Sequence, residues 1–207
     1  MLKNFFVLIS IGDIGMEGEA FLWLVRHAVV VNTIEGTISP SGAPADLSGR
    51  AHLEAVRRRL PRDAASYASP SQRTLDTARA FELDPILVPE FREQDFGHWT
   101  GRRHDDLADL GDEGYAEFWK DPARSSPPGG ESFEDQIARV QDGLRKIAAG
   151  PATLVVHSGT IRAALCLALD IAPQAALRFV IDPLSITRID RLRNNWRIVS
   201  VNQNVAL

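Results

Sequence analysis

Phe21-Leu22-Trp23-Leu24-Val25-Arg26-His27 and Thr153-Leu154-Val155-Val156-His157 decide the fold of this chain. Each is an apolar run that ends in a histidine. Unbroken apolar runs of this length suit strands covered on both faces, as in parallel sheets. Helical patterns lie between and around them. Residues 48–60 place Leu53, Val56 and Leu60 on one face, and Pro61 ends the pattern. Residues 71–81 and 161–169 read as further helices. Residues 132–148 carry Phe133, Ile137, Val140, Leu144 and Ile147 at helical spacing, before Gly150-Pro151 breaks the run. Short strands are expected at 64–68 and 86–88, and three more near 178–181, 185–189 and 196–201. Strands alternating with helices predict an α/β protein: a three-layer α/β/α sandwich with a mostly parallel central sheet flanked by helices.

The chain has 207 residues, of which 44% are hydrophobic and 24% charged. That suits one domain over 1–207 and rules out global disorder. Residues 1–20 read as an N-terminal extension. Met16 stands just before the first strand, so residues 1–15 read as an upstream start or an extra strand. Their one lysine and short apolar stretch only weakly imitate a secretory signal. Residues 94–131 are rich in glycine, proline and aromatic residues and read as a lid-like insertion; loops this long in a compact domain usually serve function. A net charge of -4 argues against a protein that coats nucleic acid. The single cysteine, Cys166, allows no internal disulfide and no multi-cysteine metal site, and its apolar helical setting suits a buried core residue. No apolar run reaches the ~18 residues of a membrane span. A cytoplasmic location is expected.

Open α/β sheets hold their ligands at the carboxyl ends of the strands. His27 and His157 are therefore expected in one crevice, although either alone would pass as a core histidine. Arg26 beside His27 favours an anion over a metal cation, because a guanidinium is a fixed fork of donors that matches phosphate. His157-Ser158-Gly159-Thr160 runs into a helix N-terminus, whose free backbone N–H groups also suit an anion. Arg73 stands early in a helix just after a strand; it is a second candidate, with a solvated helix arginine as the alternative.

Four segments in order carry a family resemblance: Arg26-His27-Ala28, the stretch from Ser69 through Arg73 to Thr77-Ala78, the stretch from Phe91 through Glu93 to Gly101, and His157-Ser158-Gly159-Thr160-Ile161-Arg162. Over about residues 21–201 the chain resembles the histidine phosphatase superfamily, the phosphoglycerate mutase-like group. Asp95-Phe96-Gly97-His98-Trp99 and Pro128-Gly129-Gly130-Glu131-Ser132-Phe133 look most like its alpha-ribazole phosphatase branch, which serves cobalamin nucleotide-loop assembly. The resemblance implies a metal-independent phosphomonoesterase that works through a phosphohistidine, with no cofactor. It makes His27 the nucleophile, places Arg26, Arg73 and His157 around the phosphoryl oxygens, and makes Glu93 the general acid that later activates water. The residues alone leave Glu90 and Asp95 as rivals of Glu93.

Some positions depart from the family pattern. After Arg26-His27 relatives carry Gly-Glu-Thr; here Ala28-Val29-Val30 follows, and Asn32 is one residue out of register. Ser158 stands where glycine is usual. Asn32 and Ser158 are expected as substrate contacts. His98 is a candidate to border the substrate, whereas His52 and His104 read as surface residues.

Residues 101–124 hold four basic and seven acidic side chains, a net of -3. Such a segment repels a second phosphate or a carboxylate. The rings of Phe96, Trp99, Tyr115, Phe118 and Trp119 offer flat surface to a nucleoside-like leaving group, or anchor the segment to the core. The expected partner is a small phosphorylated metabolite, with no nucleic acid and no membrane; a homodimer stays open. Two alternatives also stay open. One is a phosphoglycerate mutase-type phosphotransferase, which needs a carboxylate site and a phosphohistidine that survives water. The other is a non-catalytic protein that binds a phosphorylated ligand; the intact set of Arg26, His27, Arg73, Glu93 and His157 speaks against it.

Overall fold

A computed structural model describes residues 18–31, 34, 36–109 and 113–206. Its frame is the pairing of the two apolar runs. Strand β1 (Ala20–Arg26) lies parallel to β4 (Gly150–Val156), with Leu24 opposite Leu154 and Arg26 opposite Val156. Beyond β4 come β2 (Ala65–Ala68) and the short edge strand β3 (Ile86–Leu87), both parallel to it in turn. On the other side of β1 lies β5 (Ile186–Arg191), antiparallel to β1, and then β6 (Trp196–Gln203), antiparallel to β5. Among the described residues the sheet has six strands in the order β3-β2-β4-β1-β5-β6, mostly parallel, with both histidine-bearing strands at its centre.

The two-residue period of a strand sends successive side chains to opposite faces, and the core divides accordingly. Leu22, Leu24, Leu154 and Val156 pack against Val140 and Leu144 of α5 (Phe133–Arg145) and Ile161 and Leu165 of α6 (Ser158–Leu169). Val25 and Val155 face the opposite layer, where Leu53 and Val56 of α1 (Arg50–Arg57) and Ala78 of α2 (Gln72–Ala80) meet them. Three layers follow directly. A capping box starts α5: the Ser132 hydroxyl accepts from the Asp135 N–H at 3.1 Å, and the Asp135 carboxylate accepts from the Ser132 N–H at 3.0 Å. Cys166 is buried, and burial pushes its thiol up to about 11.

One expectation changes. Residues 178–181 are not a strand. They follow the short helix α7 (Pro173–Ala176), and arginine side chains take the carbonyls that a ladder would have used. Arg162 Nε donates to the Phe179 carbonyl at 2.9 Å, and Arg26 Nη1 to that of Ile181 at 2.5 Å. At the start of β1 the Glu19 carbonyl accepts from the Gly150 N–H at 2.8 Å. Residues 1–17 lie outside the described residues.

The insertion contains α3 (His104–Asp109) and α4 (Glu113–Phe118). It builds a small core of its own from Ile38, Trp99, Leu107, Tyr115 and Phe118. Backbone bonds of 2.9 Å from Ile38 N to Arg102 O and 2.7 Å from Gly101 N to Ile38 O tie it to the loop after β1. Among the described residues no helix is long and apolar enough to cross a membrane.

Candidate active site

Because β1 and β4 are parallel and in register, the residues that leave them are neighbours. The His27 N–H donates to the Val156 carbonyl at 3.0 Å, and the His27 and His157 rings meet edge-on, 5.1 Å apart at 67°. The His27 ring is fixed at both nitrogens. Nδ1 lies 2.7 Å from the Ala28 carbonyl, which can only accept, so Nδ1 carries the proton. Nε2 keeps its lone pair and receives Arg73 Nε at 3.1 Å. The imidazole is therefore neutral, and its basic nitrogen is the one turned to a guanidinium. Burial, first of all, and then the neighbouring His157 and the charge of Arg73 hold its pKa well below the usual histidine range.

Arg73 owes its position to the segment that the sequence singled out. Its Nη1 donates to the Pro40 carbonyl at 2.9 Å, within the loop after β1. One turn along α2, the Thr77 hydroxyl donates to the Arg73 carbonyl at 2.7 Å and accepts the Ala28 N–H at 3.0 Å. The start of α2 and the residue after His27 are thus joined through one hydroxyl. Thr74 and Ser69 complete the turn at 2.7 Å.

His157 is fully buried behind His27 and does not line the cleft. Its Nε2 lies 2.9 Å from the Ser69 hydroxyl, and its Nδ1 is buried without a partner. Burial and then Arg73 hold its pKa well below the usual range, so it too is neutral.

The cleft at the carboxyl ends of β1 and β4 has a volume of about 700 Å³. Arg26, His27, Arg73, Glu93, Ser158 and Arg162 all line it. Burial pulls all three guanidinium groups down from their ordinary value, and the Glu93 carboxylate is the opposing charge in each case. Arg26 Nε is buried without a partner, which leaves a donor for a ligand. Glu93 sits half-buried in a web of donors. Its Oε1 accepts the Gln94 N–H at 3.1 Å and the Gln136 amide at 3.3 Å; its Oε2 accepts the Ser158 hydroxyl and the Gly159 N–H, each at 3.3 Å. Burial pushes its pKa up, but these hydrogen bonds and Arg73 outweigh burial and hold it below the usual carboxylate range. It is ionised in the unliganded protein.

The structure thus gathers Arg26, His27, Arg73 and Glu93 around one cleft, with His157 packed behind the nucleophile candidate. Ser158 reaches the cleft, but its hydroxyl is bonded to Glu93. Asn32 lies outside the described residues. His98 is exposed, packs beside Gly129 and does not line the cleft. His104, expected at the surface, is half-buried and lines the cleft, with Nδ1 3.0 Å from the Tyr115 hydroxyl. His52 is half-buried as well, with a buried Nε2 that has no partner. Most of the lid aromatics anchor the insertion: Trp99 meets Tyr115 and Phe118 edge-on at 5.2 and 5.3 Å. Phe96 alone of these rings lines the cleft, and Trp119 is exposed.

Two further residues belong to this geometry. Arg162 stands four residues after Ser158, on the same face of α6, and that spacing was the available signal. Gly159 leaves room for the carboxylate where it stands: a Cβ there would lie 2.2 Å from Glu93 Oε1. Among the described residues no group of three His, Cys, Asp or Glu side chains is arranged to hold a metal ion.

The model of the histidine phosphatase superfamily (branch 1) matches residues 22–204. A bifunctional protein of Mycobacterium tuberculosis is 36% identical over 132 residues, which are 60% of this chain and only 36% of that protein's length. The adenosylcobalamin/alpha-ribazole phosphatase of Escherichia coli is 25% identical over 197 residues, covering 89% of this chain and 92% of the relative. Among solved structures, a putative alpha-ribazole-5'-P phosphatase from Escherichia coli superimposes with a TM-score of 0.79 at 22% identity, over 91% of this chain and 98% of the other. At that identity the last likeness speaks for the fold alone.

Proposed function

Since the chain belongs to the histidine phosphatase superfamily, we propose that it hydrolyses phosphomonoesters without a metal ion, through a phosphohistidine on Nε2 of His27. One observation carries this reading. The proton of His27 is fixed on Nδ1, and the lone pair on Nε2, which accepts Arg73 Nε at 3.1 Å, lies at a cleft that arginines and a carboxylate also line.

Arg26, Arg73 and Arg162 receive the phosphoryl oxygens. Phosphoryl transfer asks chiefly for positioning and charge stabilisation, and three guanidinium groups supply both. Arg73 Nε moves from the nitrogen to an oxygen of the ester, which frees the nucleophile. Nε2 then forms a bond to phosphorus as the bond to the ester oxygen breaks. The departing alkoxide takes its proton from Glu93. That carboxyl is ionised at rest; a phosphate dianion entering the cleft favours its protonated form. In the second step a water oxygen bonds to phosphorus, its proton passes to Glu93, and the P–N bond breaks to release phosphate.

The outer walls of the cleft include Val29, Val30, Ile38, Phe96 and Pro183 and contain no lysine. With the net negative charge of the insertion, they suit an uncharged, partly flat leaving group. Thr37, Ser39, Gln94 and His104 add uncharged polar groups to this lining, and no lysine is there for a second phosphate. Alpha-ribazole 5'-phosphate is the first candidate, because a relative that matches over nearly its whole length carries that activity in its name.

The test is hydrolysis of p-nitrophenyl phosphate with and without EDTA, followed by a panel of monoesters that includes alpha-ribazole 5'-phosphate and 3-phosphoglycerate. The reading predicts activity indifferent to EDTA and the highest kcat/KM with the nucleotide. Inactivation by EDTA that zinc or magnesium reverses would overturn the metal-free mechanism. Isomerisation of phosphoglycerate in place of hydrolysis would overturn the phosphatase.

A further inference from the structure

Glu93 sits on backbone that is neither helix nor strand, between the 3-10 turns Pro89–Phe91 and Gly97–Trp99. A segment of this kind has no ladder to hold its carbonyls. Arg139, on the cleft-distant side of the segment, takes them instead. Its Nη1 donates to the Glu90 carbonyl at 2.6 Å and to that of Arg92 at 2.8 Å, and its Nη2 to that of Glu93 at 3.0 Å. The same guanidinium grips one carboxylate: Nε donates to Glu131 Oε2 at 2.9 Å, and Nη2 to Oε1.

Glu131 is itself built into the segment. Its Oε1 accepts the Asp95 N–H at 3.0 Å, its N–H donates to the Asp95 carbonyl at 2.9 Å, and its carbonyl accepts the Gln94 amide at 2.9 Å. The two backbones touch at the neighbouring residue, where a Cβ on Gly130 would lie 2.2 Å from the Asp95 oxygen. The side chains of Arg139 and Glu131 are 18% and 21% exposed, and neither lines the cleft.

We infer that Arg139, oriented by Glu131, is the positioning residue for Glu93: it holds three carbonyls of the Glu93 segment and so sets where the carboxylate meets the leaving oxygen and the water. This rests on the acid–base role proposed for Glu93. A planar fork can reach all of these acceptors at once, whereas a lysine ammonium in the same place cannot. Exposed ion pairs contribute little to stability, but this one is mostly buried and spends its donors on the segment that carries the acid.

The experiment compares wild type, Arg139→Lys, Glu131→Gln, Glu93→Gln and the double variant Arg139→Lys/Glu93→Gln, each first checked for folding by thermal melting. Rates of phosphoenzyme formation and breakdown are measured with an alkyl phosphate and with p-nitrophenyl phosphate. A misplacement near 1 Å costs on the order of 10²-fold, so Arg139→Lys should slow the alkyl ester by roughly that factor. The first step with p-nitrophenyl phosphate, whose leaving group needs no proton, should change less than ~3-fold. KM should barely move, and p-nitrophenyl phosphate should give a product burst because phosphohistidine breakdown is slowed. Glu131→Gln replaces one of the two acceptor oxygens with an NH2 donor and leaves the other, so it should show the same pattern, weaker. In the Glu93→Gln background, Arg139→Lys should add nothing to the loss in the first step. If the two losses multiply, or if Arg139→Lys slows both esters equally without a burst, the positioning role is wrong. A Glu93→Gln variant that lacks the leaving-group dependence would instead remove the acid–base reading beneath it.

Discussion

Gly159→Ala isolates the placement of the candidate acid from the stability of the fold. The added Cβ would lie 2.2 Å from Glu93 Oε1, and 2.8 and 2.9 Å from the two amide atoms of Gln136. Ordinary contact begins near 3.4 Å, so the carboxylate must retreat by about 1.2 Å, from 2.2 to 3.4 Å. It can do so, because it is the end of a flexible side chain and not backbone. A displacement of that size at a reacting group costs on the order of 10²-fold in rate. The helix itself gains, since alanine in place of glycine near the start of α6 favours helix by roughly 0.5–1 kcal/mol. The variant should therefore melt at the same temperature or higher while kcat for an alkyl phosphate falls about 100-fold. Differential scanning calorimetry and single-turnover rates measure the two sides. A variant within threefold of wild type would show that the carboxylate does not act from this seat, and a melting temperature several degrees lower would show that it cannot move aside.

The other predictions concern the nucleophile, the phosphate seat and pH. His27→Ala should abolish turnover, by ~10⁴-fold or more, because the covalent route disappears; a residual tenth of the wild-type rate in a p-nitrophenyl phosphate assay would place the nucleophile elsewhere. Arg73→Lys should lower kcat by ~10²-fold, since one ammonium replaces an oriented fork in a dry site; unchanged steady-state kinetics would remove Arg73 from the seat. Both His27 and His157 are held neutral by burial, below the 6.5 of a free histidine. The unfolded chain then binds more protons in the window below pH 6.5, so stability should fall as pH drops through it. For two groups the slope reaches up to about 2.7 kcal/mol per pH unit; urea unfolding at several pH values checks this, and a flat profile would mean that the rings are solvated when folded.

The centre of the fold was legible because β1 and β4 are apolar on both faces, and only a doubly covered parallel sheet asks for that. His27, at the end of β1, then marked the cleft, whereas His157, at the end of β4, packs behind it. Legibility failed where a residue's surroundings come from far along the chain. Residues 178–181 have strand-like composition, but Arg162 and Arg26 draw their carbonyls away from any ladder. His104 reads as a polar residue in an acidic helix; backbone bonds between the insertion and the loop after β1, including His104 N to Gly36 O at 3.0 Å, turn it into the cleft wall. Glu93 could not be told from Glu90 or Asp95 by residue type. Its distinction is the four donors that converge on it from Gln94, Gln136, Ser158 and Gly159. Glu90 pairs instead with Lys146, and Asp95 accepts the Gly97 N–H. Arg162 and Arg139 look like solvated helix arginines until their carbonyl partners, distant in sequence, are seen.

The central claim is a covalent phosphoryl group on one named nitrogen. Rapid acid-free quenching of the protein during turnover of a ³²P-labelled monoester, followed by peptide mapping, tests it directly. The account predicts an acid-labile, base-stable label on the peptide that contains His27, attached at Nε2, formed equally with and without EDTA and absent from His27→Ala. A label on His157 or on a carboxylate, or no label at all during full turnover, would contradict it.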